Sequence, residues 1–270
     1  PYGMVQFTPS YFSKRSGFVI NQLSGGGCEH MGNFPTFPVK GKLKMSPDNI
    51  LNYRINISEE KGHAGYYEAM VQEDIKAKLT VTERTGMASY EYPADQQYGT
   101  VIIGGGISAT PIEQAAIVIT APNKCEGYAE GGNFCGLRTP YKVYFVAEFD
   151  TDALESGTWK RNELKPNTTF AEGEYSGVYF TFDVNKKKNI QYKIGVSYVS
   201  VENARENLKA ENTGWDFLQI QNQAESKWNH YLGKIEVEGT NPDRTTQFYT
   251  HLYRSFIHAN VSSDVNREYM

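Results

Sequence analysis

The densest gathering of chemically capable side chains lies in the segment Asn21-Gln22-Leu23-Ser24-Gly25-Gly26-Gly27-Cys28-Glu29-His30-Met31-Gly32-Asn33. A thiol, a carboxylate and an imidazole follow one another at Cys28, Glu29 and His30, and each can exchange hydrogen bonds with a polar ligand. The glycines Gly25, Gly26 and Gly27 carry no Cβ, so their backbone N–H groups can come close to a bound molecule. The segment reads equally as a ligand-facing loop or as a connection that needs positive φ, because loops carry much of binding and catalysis.

Elsewhere the reactive residues are scattered. The histidines His30, His63, His230, His251 and His258 fall in no nucleophile–base motif, and neither Gly-x-Ser-x-Gly nor a phosphate-binding P-loop occurs. Cys-x-x-Cys and His-x-x-x-His spacings are absent, so no zinc site is expected. Of the cysteines Cys28, Cys125 and Cys135, the last two flank a glycine-rich stretch and can pair or remain buried thiols. That stretch, Gly127 to Gly136 with Phe134 inside it, is expected to be a loop or bulge. Three sequons, at Asn56, Asn167 and Asn260, are short enough to arise by chance. Carboxylates are numerous, but no motif selects an acid–base pair.

The elements that must position these residues are strands. Alternation of apolar and polar residues runs from about residue 40 to 200. Tyr141, Val143, Phe145, Ala147 and Phe149 share one face, as do Val178, Phe180, Phe182 and Val184, and Ile190, Tyr192, Ile194, Val196 and Tyr198. Turn signals separate the runs at Lys61-Gly62-His63, Thr85-Gly86, Gly104-Gly105-Gly106, Gly131-Gly132-Asn133 and Asn185. Lys186-Lys187-Lys188 reads as a solvated hairpin tip. Strands with short turns and no interleaved helices predict a mainly β fold over residues 1–200, its antiparallel sheets packed as an antiparallel β-sandwich or a barrel.

The period changes at Ser200, which can cap a helix with Val201, Ala204 and Leu208 on one face. Thr213-Gly214-Trp215-Asp216 resembles a capping box opening a second helix, whose apolar positions are Phe217, Ile220, Ala224, Trp228 and Tyr231, with Gly233 as its stop. Ile235 to Glu238 is expected to form a short strand. Asn241-Pro242-Asp243 starts a third helix with Tyr249, Leu252, Tyr253 and Phe256 on its apolar face. Residues 201–270 are therefore read as C-terminal linker helices.

Composition bounds the partners. In 270 residues, 39% are hydrophobic and 21% charged, which supports a packed core rather than a disordered chain. The formal net charge of −4 and the lack of a basic stripe argue against nucleic acid as a partner. No stretch approaches the roughly 20 apolar residues of a membrane-spanning helix. The chain opens Pro1-Tyr2-Gly3-Met4, with neither an initiator Met nor a leader, so both termini are expected to be cuts within a longer protein.

Several ordered blocks resemble glycoside hydrolase family 92. Pro1-Tyr2-Gly3-Met4-Val5-Gln6-Phe7-Thr8-Pro9 is similar to that family's opening signature, and Gln22-Leu23-Ser24-Gly25-Gly26-Gly27-Cys28 resembles its H-L-S-G-x-G-C motif. Glu83-Arg84-Thr85-Gly86, Gly131-Gly132-Asn133-Phe134-Cys135-Gly136 with Tyr144-Phe145-Val146-Ala147, and Ser197 to Ala204 follow in family order. Phe248 to Ser255 and Ser263-Asp264-Val265 complete the set. The chain departs from the pattern at Gln22, where many members carry His, and at Glu29-His30-Met31.

The resemblance implies a galactose-mutarotase-like supersandwich, then linker helices and the start of an (α/α)6 barrel that continues past Met270. It implies an inverting, calcium-dependent exo-α-mannosidase, preferring α-1,2 links, that removes terminal mannose from N-glycans or mannan at the interface of the two domains. Inverting chemistry separates acid and base by about 6.5–9.5 Å to admit water. In the family the acid, base and calcium ligands belong to the barrel, so no catalytic residue and no metal ligand is assigned within this chain. Gly25, Gly26, Gly27, Cys28, Glu29 and His30 are expected to face the sugar, and Asp264 to hydrogen-bond a sugar hydroxyl. For Asp264 a turn or helix-end role weighs equally. The implied partners are mannose-containing glycans and the barrel of the same protein, with a secreted, periplasmic or surface location. The competing expectation is a non-catalytic carbohydrate-binding or adhesion module, whose tyrosines stack on sugars.

Overall fold

The computed structural model describes residues 1–10, 17–22, 27–48, 56–239 and 241–270. Two antiparallel sheets pack face to face. The smaller has the order β1 (Thr8–Pro9), β2 (Phe18–Val19), β3 (Thr36–Lys40), β8 (Tyr98–Gly104), β15 (Ser176–Asp183), β12 (Glu155–Lys160) and β13 (Glu163–Pro166). The larger has the order β14 (Phe170–Glu172), β9 (Ile112–Ala121), β10 (Lys124–Phe134), β11 (Leu137–Phe149), β16 (Asn189–Ser197), β7 (Thr85–Glu91), β6 (Ile75–Val81), β5 (Tyr66–Val71) and β4 (Ile57–His63). The predicted antiparallel sandwich is thus what forms.

Alternation places the core. Val143, Phe145, Ala147 and Phe149 of β11 are buried, as are Ile190, Tyr192, Ile194 and Val196 of β16. Phe149 joins the sheets: its ring lies 4.9 Å from Phe180 and 5.1 Å from Phe182 of β15, and 5.3 Å from its register partner Tyr192. Burial of each such ring stabilises the fold by about 2–3 kcal/mol. The Lys186–Lys188 run forms the turn between β15 and β16, as expected, with Lys187 paired to Asp150 at 2.7 Å.

The glycine-rich stretch is a bulge within a long strand. β10 pairs with β11 along its length, but the register shifts between Gly131 and Asn133. Gly132 sits at φ 135°, where a Cβ would lie 2.2 Å from the Thr139 carbonyl oxygen, so no L side chain fits. The strand also decides between the two readings of Cys125 and Cys135. Ten residues of extended chain span about 33 Å, whereas disulfide-bonded Cα atoms lie within about 7 Å. Cys125 is a free, fully buried thiol, and Cys135 pairs instead with Cys28.

Three helices follow among the described residues: α1 (Val201–Glu211), α2 (Phe217–Leu232) and α3 (Pro242–Ser255). Ser200 caps α1 by accepting from the Asn203 amide at 3.1 Å. Ala204 and Leu208 seat α1 on Val146 of the larger sheet, and Gly195 of β16 leaves room: a Cβ there would meet Ala204 O at 2.6 Å. α2 begins later than the Thr213 capping box implied. Its cap is Asp216, whose carboxylate accepts from the Gln219 amide at 3.0 Å. Ile220, Ala224 and Trp228 are buried, and Trp228 stacks at 4.6 Å on Tyr253 of α3. Asn241 and Pro242 open α3 as expected. Ile235–Glu238 is not a strand, having no strand to pair with, and Ile235 is half exposed.

Candidate functional site: a disulfide-clamped loop and a cleft

The reactive loop is held by groups converging from several directions. Cys28 is bonded to Cys135 at the turn between β10 and β11. His30 lies edge-on between Phe134, at 5.5 Å, and Tyr141, at 5.3 Å. Gln22 and Met31 form an antiparallel bridge, and the Met31 carbonyl accepts from the Ala109 amide at 2.8 Å. Asn21 and Asn33 close the base reciprocally: Asn21 Oδ1 accepts from the Asn33 amide at 2.8 Å, and Asn21 Nδ2 donates to Asn33 Oδ1 at 3.1 Å. Tyr141 donates its hydroxyl to that same Asn33 oxygen at 2.6 Å.

Within this frame Gly27 is exposed, Cys28 and Glu29 are half-buried, and His30 is buried. Burial pushes the His30 imidazole below its ordinary pKa, partly offset by its hydrogen bond to the Asn133 backbone. His30 is therefore a neutral imidazole near pH 7, packed as an aromatic. Cys28, as a disulfide, offers no thiol. Gly25 and Gly26 lie outside the described residues.

A cleft of about 1260 Å³ separates the larger sheet from the helices, and among the described residues of the loop segment only Gln22 lines it. Gln22 at the loop's base, Gln6, Tyr66 and Tyr67 line one wall, and Trp228, Tyr249 and Tyr253 the other. The sequence flagged Lys61-Gly62-His63 only as a turn and Tyr141 only as core. Neither carried a signal for the cleft or the clamp, because both arise from partners far away in sequence.

The carboxylates on the cleft wall are Glu83 and Glu211. Arg84 joins them, with Nη1 2.9 Å from Glu83 and 2.6 Å from Glu211, while Lys227 of α2 also pairs with Glu83. Arg84 Nε further donates to the Ser263 carbonyl at 2.7 Å. The Glu83-Arg84-Thr85-Gly86 block thus bolts the sandwich to all that follows it. Burial raises the Glu83 pKa, but Lys227 and Arg84 outweigh it and hold the carboxyl below the usual carboxylate range. Glu83 is then an anion in an ion-pair network and not a proton donor.

A pH effect follows. Because the folded pKa lies below the unfolded one, Glu83 contributes stability above its unfolded value, and that contribution disappears as pH falls through the folded value. In acid titrations of unfolding free energy, Glu83→Gln is expected to flatten the slope between roughly pH 5 and pH 3. Identical slopes for the variant and the parent chain would show that the network is not felt.

Asp264 does not line the cleft. It is 2% exposed, and its carboxylate accepts from Ser197 Oγ at 2.7 Å, Asn203 Nδ2 at 2.8 Å and Asn207 Nδ2 at 2.6 Å. Its contacts are those of a structural node between the tail, α1 and β16. Among the described residues no group of three or more His, Cys, Asp or Glu side chains could hold a metal ion. Calcium takes about 6–8 oxygen ligands, so these side chains do not fit it and no step is derived through it.

The profile of the glycosyl hydrolase family 92 N-terminal domain matches residues 1–197, and that of the family's catalytic domain matches residues 203–270. An uncharacterized secreted glycosidase of Arthroderma benhamiae is 25% identical over 273 aligned residues, which cover 91% of this chain and 35% of the relative. A family GH92 inverting mannosidase from Bacteroides thetaiotaomicron superposes with a TM-score of 0.85 at 24% identity, covering 99% of this chain and 37% of that one. A family GH92 α-mannosidase from the same organism gives 0.85 at 24% identity, covering 98% and 39%. At these identities the superpositions establish the fold. The chain spans little more than a third of the length of each.

Proposed function

Because this chain belongs to glycosyl hydrolase family 92, we propose that it is the N-terminal part of an inverting exo-α-mannosidase that prefers α-1,2 links and releases terminal mannose from N-glycans or mannan. The observation that carries this reading is the match of both family profiles, in order, to residues 1–197 and 203–270. The site chemistry supports the division of labour. The cleft carboxylates are held in ion pairs, and the buried His30 is neutral. What the cleft wall offers a sugar is shape, aromatic faces and amide groups rather than a free pair of carboxyls in fixed geometry. The acid, the base and any calcium ligands are assigned to an (α/α)6 barrel of the same protein. The loop from Gly25 to His30 is assigned to the sugar from the sandwich side.

The Cys28–Cys135 bridge favours an oxidising compartment, and with it a secreted, periplasmic or surface location. The test is release of mannose from α-1,2-mannobiose by the parent protein and by the 270-residue chain, each with calcium and with a chelator. The parent is expected to release β-mannose, seen by NMR of the first product, and the chain alone nothing. Calcium-dependent turnover by the chain would put the chemistry within these residues. A parent inactive on α-linked mannobioses would sink the mannosidase reading.

A further inference from the structure

We infer that the Cys28–Cys135 disulfide and the Tyr141–Asn33 hydrogen bond are positioning devices, which hold Gly27–Asn33 in one preorganised conformation and thereby set how tightly substrate binds. This rests on the reading that the loop faces the sugar. It names the residues through which that face is kept in shape.

The number and variety of the restraints carry the inference. A disulfide, a two-ring aromatic sandwich around His30, a backbone bridge at Met31, a reciprocal amide pair and a tyrosine hydroxyl all act on the segment from Gly27 to Asn33. A plain connection between β2 and β3 would need none of them. The segment also holds Met31 at φ 59°, and the turn that anchors it holds Cys135 at φ 53°. Left-handed backbone at such residues persists only where the surroundings over-determine it, and it gathers at ligand clamps. The anchoring turn belongs to the longest strand pair of the larger sheet, β10 with β11, so the clamp transmits the rigidity of a sheet to an irregular segment.

Preorganisation acts on binding because a loop already in its bound shape loses little freedom when ligand arrives. A loosened loop must be ordered by the substrate itself, and affinity falls. The acid and base are assigned to the barrel and not to this segment, so the loss falls on KM rather than kcat.

The experiment uses the full-length enzyme containing this chain, assayed on α-1,2-mannobiose well below the unfolding temperature of each variant. Cys28→Ser/Cys135→Ser is expected to raise KM roughly tenfold or more, with kcat within about twofold. Amide exchange is expected to accelerate in Gly27–Asn33 and to stay unchanged in β11 and β16. Tyr141→Phe keeps the ring against His30 and removes only the hydroxyl. It is expected to raise KM about threefold, and it serves if the double variant does not fold. KM within about twofold of wild type in a folded variant, or unchanged exchange in the loop, would overturn the inference while leaving the mannosidase reading intact. A wild-type enzyme inactive on α-linked mannobioses overturns both.

Discussion

Removing the Cys28–Cys135 bridge is expected to lower the unfolding free energy by about 3–5 kcal/mol, which shifts Tm by roughly 6–15 °C for a domain of this size. The magnitude follows from the loop that the bridge closes. Its ends are 107 residues apart in sequence, so the cross-link excludes a large share of the conformations open to the unfolded chain. It also ties the entrance of the fold, between β2 and β3, to the middle of the larger sheet. Thermal unfolding of Cys28→Ser/Cys135→Ser, and of the parent chain in a thiol reductant, should give the same lowered midpoint. Cys125 is an internal control, because it is fully buried and stays unreactive to thiol reagents until the fold opens. A midpoint unmoved by either treatment would mean that the unfolded chain is already compact around this loop.

Asp264→Ala is expected to cost about 3–5 kcal/mol, the usual penalty for breaking a buried hydrogen-bonded charge network. Three side-chain donors on Ser197, Asn203 and Asn207 lose an acceptor, and only the two amides keep a second one, at Glu268 and at the Val196 carbonyl. Ser197 Oγ also accepts from the Val199 and Ser200 amides, so the loss reaches the entrance of α1. Asn207 grips the tail a second time through the Val265 amide at 2.9 Å. Asp264→Asn keeps the shape but turns an amide toward donors, and about 2 kcal/mol is expected. Urea unfolding gives the free energies, and limited proteolysis within residues 261–270 reports undocking of the tail. If Asp264→Asn left stability untouched and abolished sugar affinity in the parent protein, Asp264 would be the sugar ligand that the family resemblance implies.

The sandwich was legible because a strand with one face in a core tends to alternate, and β11, β15 and β16 each carry an alternating apolar set, even though β15 is buried on both faces from Ser176 to Phe182. Caps were legible where one residue could serve, as at Ser200 and Asn241. At α2 the Thr213–Asp216 box placed the start too early, because Asp216 is itself the cap and reaches the Gln219 amide. Ile235–Glu238 carries strand-forming residues, but strand formation needs a neighbour, and sequence does not name neighbours. The disulfide was illegible for the same reason. Cys125 and Cys135 are close in sequence and far apart along one strand, while Cys28 comes to Cys135 only once two sheets have been laid out. The loop itself could be found from its glycines and polar side chains. Its clamp could not, since Tyr141 reads as one more apolar position of β11.

The first and last described segments meet. Tyr2 donates its amide to the Phe256 carbonyl at 2.9 Å, and its own carbonyl accepts from the Val261 amide at 2.8 Å. The Tyr2 ring sits edge-on to Tyr231 and Phe256. During synthesis the opening residues therefore leave the ribosome long before their partners exist. Contacts of such sequence separation slow folding, and a chain made at about 5–20 residues per second leaves the opening segment waiting for tens of seconds. The sheets can assemble in that interval from hairpin neighbours such as β10 with β11, but the aromatic seal at Tyr2 closes only when α3 has emerged. The apolar segment around Tyr2, exposed for that time, is the stretch on which a chaperone would be found during translation.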